Sequence, residues 1–203
     1  RKIMDDAGVL VVSDAWLGGA FASKTQCITS PASAKGQSMR AAGPMFNKML
    51  EGAGSSIASM PSSEIYSALQ TGVLTGANTS SGSFVSYKIY EQVKCLTPPG
   101  KFGLWFMYEP ILMSKKSYNK LNNKQKAALK AAGKKAEDWM LEQVAGLDSK
   151  MESTFKKAGV KLAYMNESDY KAWLEIAKKT SFKDFATKVP GGQKLLDQAL
   201  SVK

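Results

Sequence analysis

Residues 36–79 read GQSMRAAGPMFNKMLEGAGSSIASMPSSEIYSALQTGVLTGANT, and the punctuation of this stretch decides the fold class. Gln37 to Arg40 reads as a short strand. Pro44 suits the first turn of a helix, where its missing N–H is not needed, and Gly52 or Gly54 suits the far end. Between them Met45, Phe46, Met49 and Leu50 recur at helical spacing, as a core-facing stripe does. Ser56 to Met60 reads as a second strand. Ser62 or Ser63 can cap the next helix, with Glu64 in its first turn, where the helix dipole favours an acid. That helix buries Ile65, Tyr66, Leu69 and Val73 and ends near Gly72 and Gly76. Gly76 to Thr79 is a third short strand, and the strand–helix alternation implies a parallel α/β sheet.

Working outward, AGVLVVSDAW at 7–16 reads as a buried strand. The Gly-, Ala- and Ser-rich stretch LGGAFASKTQCITSPASAKG at 17–36 reads as a loop. Residues 101–114 form an aromatic and aliphatic strand interrupted by Pro110. From Asn122 to Lys157, apolar residues such as Leu129, Met140, Val144, Met151 and Phe155 keep the α period. A helix that long spans about 54 Å at 1.5 Å per residue, whereas a compact globule of this chain length is about 43 Å across. It therefore kinks, at Gly133 or Gly146, or runs across two lobes. A strand at 160–164, an amphipathic helix through Tyr170, Trp173, Leu174 and Ala177, and a last helix at Gln193–Leu200 complete the chain.

Composition narrows the function. The 203 residues carry 28 Lys and Arg against 17 Asp and Glu, a net charge of +11, with no His and two Cys. Without His the commonest general base is gone, along with Ser-His and Cys-His nucleophile pairs and most catalytic zinc sites. Cys27 and Cys95 are too few for a Cys-rich metal site or a multi-bridge framework, and whether they are free or paired stays open. Nucleophile-elbow, Walker A, dinucleotide-binding and Cys-x-x-Cys motifs are absent. No run of about 18 apolar residues occurs. Most of the positive charge lies in residues 115–203, where 19 basic groups meet 10 acidic ones. It is Lys interspersed with Glu and Asp, the pattern of a solvated helix face. A Lys-rich module that binds an acidic partner or nucleic acid is the alternative, and salt-dependent retention on heparin or DNA would favour it.

Arg40 stands apart, because Arg1 is the only other arginine. Arginine presents a planar fork that holds a carboxylate through two parallel hydrogen bonds, which a lysine cannot do. Arg40 ends a strand beside a turn into a helix, the place where open α/β sheets bind ligands.

These residues carry a resemblance. Gly36…Arg40, Gly54, Met60-Pro61, Glu64-Ile65-Tyr66, Ala68-Leu69-Gln70-Thr71-Gly72 and Gly76 resemble, in order and spacing, the core signature of the solute-binding proteins of TRAP (tripartite ATP-independent periplasmic) transporters. SKKSYNKLNNKQKAAL, the long helix and the Gly-Val-x-Leu strand at 159–162 also fit. The chain departs from the pattern in three ways. Thr75 stands where Asp is usual, Asn78 and Thr79 stand where sialic-acid binders have Glu-Asn, and no second arginine lies near Gly19. The resemblance implies a two-lobed periplasmic-binding-protein-like α/β fold with a lobe-spanning helix. It divides the chain into a ligand-binding lobe at 1–95 and, at 96–203, a crossover strand, the long helix and the C-terminal helices. The chain opens without an initiator Met or signal peptide, and the resemblance implies that part of the N-terminal lobe is missing.

For function, the resemblance implies a non-enzymatic, periplasmic, monomeric binder of a small organic carboxylate. Such a protein delivers its ligand to TRAP membrane subunits and uses no cofactor, metal or nucleic acid. Arg40 is expected to pair with the carboxylate. Asn78 and Thr79 would donate to the ligand's other polar groups, Ser62 would help through a helix N-terminus, and Trp105 would line the cleft from the opposite lobe.

Overall fold

The computed structural model describes residues 2–202. Its strands are β1 (Val9–Ser13), β2 (Trp16–Ser23), β3 (Ser38–Arg40), β4 (Ser56–Ile57), β5 (Gly76–Ser80), β6 (Cys95–Thr97), β7 (Phe106–Tyr108), β8 (Ile111–Ser114) and β9 (Lys161–Leu162). The helices are α1 (Lys2–Asp6), α2 (Pro31–Ala34), α3 (Pro44–Gly52), α4 (Ile65–Gln70), α5 (Ser81–Ser86), α6 (Lys115–Tyr118), α7 (Asn123–Lys157), α8 (Glu167–Lys179), α9 (Ser181–Lys188) and α10 (Gly192–Leu200). The large sheet runs β4-β3-β5-β2-β6-β9, with β7 paired to the first half of β2, and β1 and β8 form a separate antiparallel ribbon.

The β-α-β-α-β unit forms as its punctuation predicts. Pro44 is the first residue of α3, and Phe46, Met49 and Leu50 are its buried stripe. Strand β3 is parallel to both β4 and β5. At the start of β5, Thr75 Oγ1 accepts the Ser38 N–H at 2.9 Å, so the residue standing in for the family's Asp ties these two strands together.

Strand β2 overturns two expectations. Residues 17–36 are not one loop: the first seven complete β2, which the large sheet holds between β5 and β6. Its small residues reflect crowding on both faces rather than a turn. Ala20 and Ala22 pack into one buried cluster, while Phe21 packs into the other. The sheet is also mixed rather than parallel, because β2 is antiparallel to β5, β6 and β7. The stretch read as a buried strand at 7–16 yields β1, which is only half-buried because its partner β8 is an exposed edge strand.

Other boundaries shift for local reasons. Pro110 splits 101–114 into β7 and β8. Helices α5 and α9 were not expected from the sequence. The capping role given to Ser62 or Ser63 is not realised: Pro61 precedes a single 3-10 turn at Ser62–Glu64, and no side-chain cap forms. Cys27 and Cys95 are joined in a disulfide, tying the segment after β2 to β6. A covalent link over a separation of 68 residues restricts the unfolded chain by up to about 4 kcal/mol in the chain-entropy account.

Helix α7 is unbroken, so the length argument resolves in favour of a span rather than a kink. Asn122 caps it by accepting the Gln125 N–H at 2.9 Å, and Gln125 reciprocates to the Asn122 N–H. Its N-terminal half packs on β1 at Gly133. Its C-terminal end buries Met151 and Phe155 against the large sheet's core, with Phe155 edge-on to Phe84 at 5.8 Å. Of its 35 residues, the helix buries only these few, which fits its low overall apolar content.

The two glycines of α7 therefore have opposite prospects. A Cβ on Gly133 would lie 2.2 Å from the Val12 carbonyl oxygen, whereas one on Gly146 would meet nothing within 4 Å. Gly146→Ala is expected to stabilise by up to about 1 kcal/mol through helix propensity. Gly133→Ala is expected to cost about 1–3 kcal/mol through overpacking. Urea unfolding of the two variants checks both signs, and a Gly133→Ala protein as stable as the parent would refute the close packing.

Candidate functional site

The carboxyl ends of the parallel strands β4, β3 and β5 converge on Arg40, the last residue of β3. Its Nε donates to the Met60 carbonyl at 3.1 Å and its Nη1 to the Asn78 carbonyl at 2.9 Å. The guanidinium is thus clamped by two main-chain acceptors, one in the segment after β4 and one within β5. These use two of the five N–H donors of an arginine, and among the described residues the others have no partner. No carboxylate of the described residues pairs with it. Burial pushes the Arg40 guanidinium below its ordinary value, but an arginine stays a cation in a protein. The outcome is a half-buried, immobilised positive fork with donors to spare.

The other expected site residues fall around it. All five positions of β5 are buried. Asn78 Nδ2 donates to the Ala20 carbonyl at 3.0 Å, which holds its amide against β2. Thr79 pairs with Ala20, so its side chain shares the face of the first core cluster, whereas Asn78 pairs with Phe21 on the opposite face. Ser62 is half-buried, two residues beyond the carbonyl that accepts Arg40 Nε. Trp105 is partly buried, and its ring covers Gly19 of β2 while its carbonyl accepts the Gly19 N–H at 3.2 Å. The structure therefore sets Arg40, paired with Ala77, on the same sheet face as Thr79, and Asn78 on the other, with Ser62 in the turn beyond Met60 and Trp105 packed on Gly19 of the neighbouring strand.

Several residues around the site escaped the sequence reading. Gly19 is one: a Cβ there would lie 2.0 Å from Trp105 Cε3 and 2.8 Å from the Thr79 carbonyl oxygen. Ser81, which opens α5 directly after β5, donates to Asp148 of α7. A Cβ on Gly18 would sit 3.4 Å from both Asp148 oxygens. The adjacent glycines in a stretch otherwise alternating small and large residues were the one available signal, since a Gly inside a strand marks a close approach. The Ser81–Asp148 pair joins residues 67 apart and left no such mark. A further concavity of about 350 Å³, lined by Trp16, Asp138, Leu141 and Val144 among others, lies between β2 and the middle of α7, away from Arg40. The lysines of the C-terminal helices stand exposed, several paired with acids one turn away, as Lys171 is with Glu167 and Lys134 with Asp138.

Residues 2–188 match the bacterial extracellular solute-binding protein family 7 (DctP). The chain belongs to that family. A solute-binding protein of Albidiferax ferrireducens is 35% identical over 195 residues, which cover 96% of this chain and 58% of the relative. A TRAP periplasmic solute-binding protein from Rhodoferax ferrireducens, solved with bound malonate, superposes with a TM-score of 0.90 at 33% identity and covers 100% of this chain and 66% of that one. One from Sulfitobacter, solved with β-D-galacturonate, has a TM-score of 0.86 at 21% identity over 97% of this chain and 64% of that one, a likeness of fold alone. The chain thus spans roughly six-tenths of the curated relative's length, and its mixed α/β architecture with the long helix is that of the two-lobed TRAP solute-binding proteins. Among the described residues no helix is long and apolar enough to cross a membrane.

Gly19 tests whether the tryptophan wall is built as described. Gly19→Ala is expected to expel the Trp105 ring and cost about 1–3 kcal/mol. In a Trp105→Ala background the same substitution is expected to cost less, because most of the clash is gone. A double-mutant cycle by urea denaturation measures the difference, and strict additivity would refute the contact.

Proposed function

We propose that this protein is the extracytoplasmic solute-binding subunit of a TRAP transporter and captures a small organic anion through Arg40. The observation that carries the reading is the state of that side chain: fixed by two main-chain carbonyls, partly desolvated, and with donors left over. A guanidinium so placed offers a carboxylate charge-assisted hydrogen bonds without first having to be ordered. Asn78, Thr79, Ser62 and Trp105 are proposed as the remaining ligand contacts. Family membership and the malonate named for the Rhodoferax ferrireducens relative support the same substrate class.

In this reading the protein binds and releases its ligand unchanged. The β3–β5 strand ends form one wall of a cleft, within a ligand-binding lobe at residues 1–95, and residues 96–203 supply the crossover and the spanning helix. Closure of two lobes around the anion alters the surface offered to the membrane subunits, and α7 connects the parts that move. The Cys27–Cys95 disulfide supports an oxidising compartment such as the periplasm.

Calorimetry on the full-length protein with a panel of small carboxylates tests the assignment. Arg40→Lys keeps the charge but loses the fork. It is expected to weaken carboxylate binding about tenfold or more, in line with the 1.5–3 kcal/mol of a hydrogen bond to a charged group. Unchanged affinity in Arg40→Lys and in Arg40→Ala would refute the role given to this residue.

A further inference from the structure

The positive excess of the chain's second half is not spread evenly. Between Ile111 and Ala136 lie eight lysines, from Lys115 to Lys135, and no Asp or Glu. From Glu137 to Lys203 eleven lysines meet ten acids. Mixing with acids therefore describes only the second stretch. The first is a block of one sign, the pattern of an interaction surface.

The fold makes little use of this block. Among the described residues only two of the eight pair with an acid, Lys115 with Asp5 and Lys134 with Asp138, and all four side chains are exposed, so these pairs contribute little. A third, Lys126, stands over the Tyr118 ring at 5.3 Å. Helix α7 opens with Lys124 and Lys126 and has no acid in its first turn, where the helix dipole favours acids and disfavours lysines. Gly133 turns toward β1. At 3.6 residues per turn, Lys124, Lys134 and Lys135 lie on the side away from it, with Lys130 on the flank and Ala127 and Ala131 between them. All six are exposed, and they form a flat basic face with short side chains between flexible ammonium groups.

We propose that this face docks the protein on an anionic bilayer surface, with phospholipid headgroups as its partner. Lys and Ala are the residues that protein interfaces avoid. Nucleic-acid sites use arginine for bases and phosphates, and no arginine lies in the block. Mobile point charges instead suit a diffuse, laterally fluid array of anions. Trp139, one turn beyond Lys135 and 60% exposed, is a residue type that settles at the headgroup level. Each lysine brought near an anionic leaflet raises affinity roughly fivefold, so several together give a reversible hold. A solute binder held in this way searches for its membrane subunits along the surface in which they lie. The docking does not depend on Arg40.

Co-sedimentation of the full-length protein with vesicles tests this, the vesicles being phosphatidylcholine alone or phosphatidylcholine mixed with phosphatidylglycerol. At low salt the anionic vesicles are expected to bind at least about tenfold more tightly than the neutral ones, and to lose most of that advantage in about 0.5 M NaCl, which screens exposed charges. The triple variant Lys124→Gln, Lys130→Gln, Lys135→Gln is expected to bind them about tenfold or more weakly. Lys171→Gln, Lys178→Gln, Lys188→Gln removes the same charge from lysines already paired with acids, and is expected to change binding by less than about threefold. If a variant fails to fold, the parent protein's dependence on lipid and salt still decides. Equal binding to the two kinds of vesicle, or an equal loss in both triple variants, overturns the docking and leaves the arginine reading standing. Binding only to vesicles that carry the membrane subunits, or retention on heparin or duplex DNA without vesicle binding, overturns it in favour of a protein or nucleic-acid partner.

Discussion

Strand β2 has hydrogen-bonded neighbours on both edges and packed groups on both faces, and the rest of the chain is arranged around the narrowness this imposes. Four of its eight residues are Gly or Ala. Ala20 and Ala22 let the helices of one core cluster approach, while Gly19 admits the Trp105 ring on the other face. Because β2 is antiparallel to β5 and also pairs with β6 and β7, it is the one strand that holds the early β-α-β-α-β unit to the later segments. The disulfide from Cys27 to Cys95 secures the same junction covalently, a few residues beyond the end of β2.

On this frame the binding chemistry is a matter of where main-chain groups end. Beyond the end of β3 two main-chain carbonyls receive Arg40: that of Met60, three residues past β4, and that of Asn78, in the middle of β5. An arginine can give two donors to the scaffold and still present others in a plane; a lysine, with a single flexible ammonium, cannot be held and available in the same way. This explains why a chain that otherwise uses lysine for positive charge keeps an arginine here. With the side chain already held by the scaffold, the anion capture proposed for it would spend less free energy on ordering it.

Local features were readable where local physics determines them. Pro44, the Met45–Leu50 stripe and the glycines after α3 and α4 announced the β-α-β-α-β unit, and the spacing from Leu129 to Phe155 announced α7. Arg40 was legible because composition made it an exception. Strand β2 was not, since the small residues that suit a strand crowded from both sides are the ones that suit a loop, and only the tertiary neighbours Trp105 and Asp148 distinguish the two cases. Its antiparallel direction was hidden for the same reason: a βαβ rhythm says nothing about a strand that enters the sheet from outside the rhythm. Asn78 was marked by its place at a strand end, but which of its amide atoms is spoken for depends on Ala20, 58 residues away.

The same dependence on distant partners governs how the long helix meets the site. Helix α7 is anchored near one end by a contact with main chain, Gly133 on the Val12 carbonyl, and near the other by the side chains of Met151 and Phe155. Between these anchors Asp148 takes the hydroxyl of Ser81 and sits over Gly18. Ser81 is the residue that follows β5, so one carboxylate of the helix touches both the strand that bears Asn78 and Thr79 and the strand that crosses the sheet. The Ser81–Asp148 contact thus ties α7 to the start of α5, directly after β5. The glycine at 18 leaves the carboxylate the space to make it.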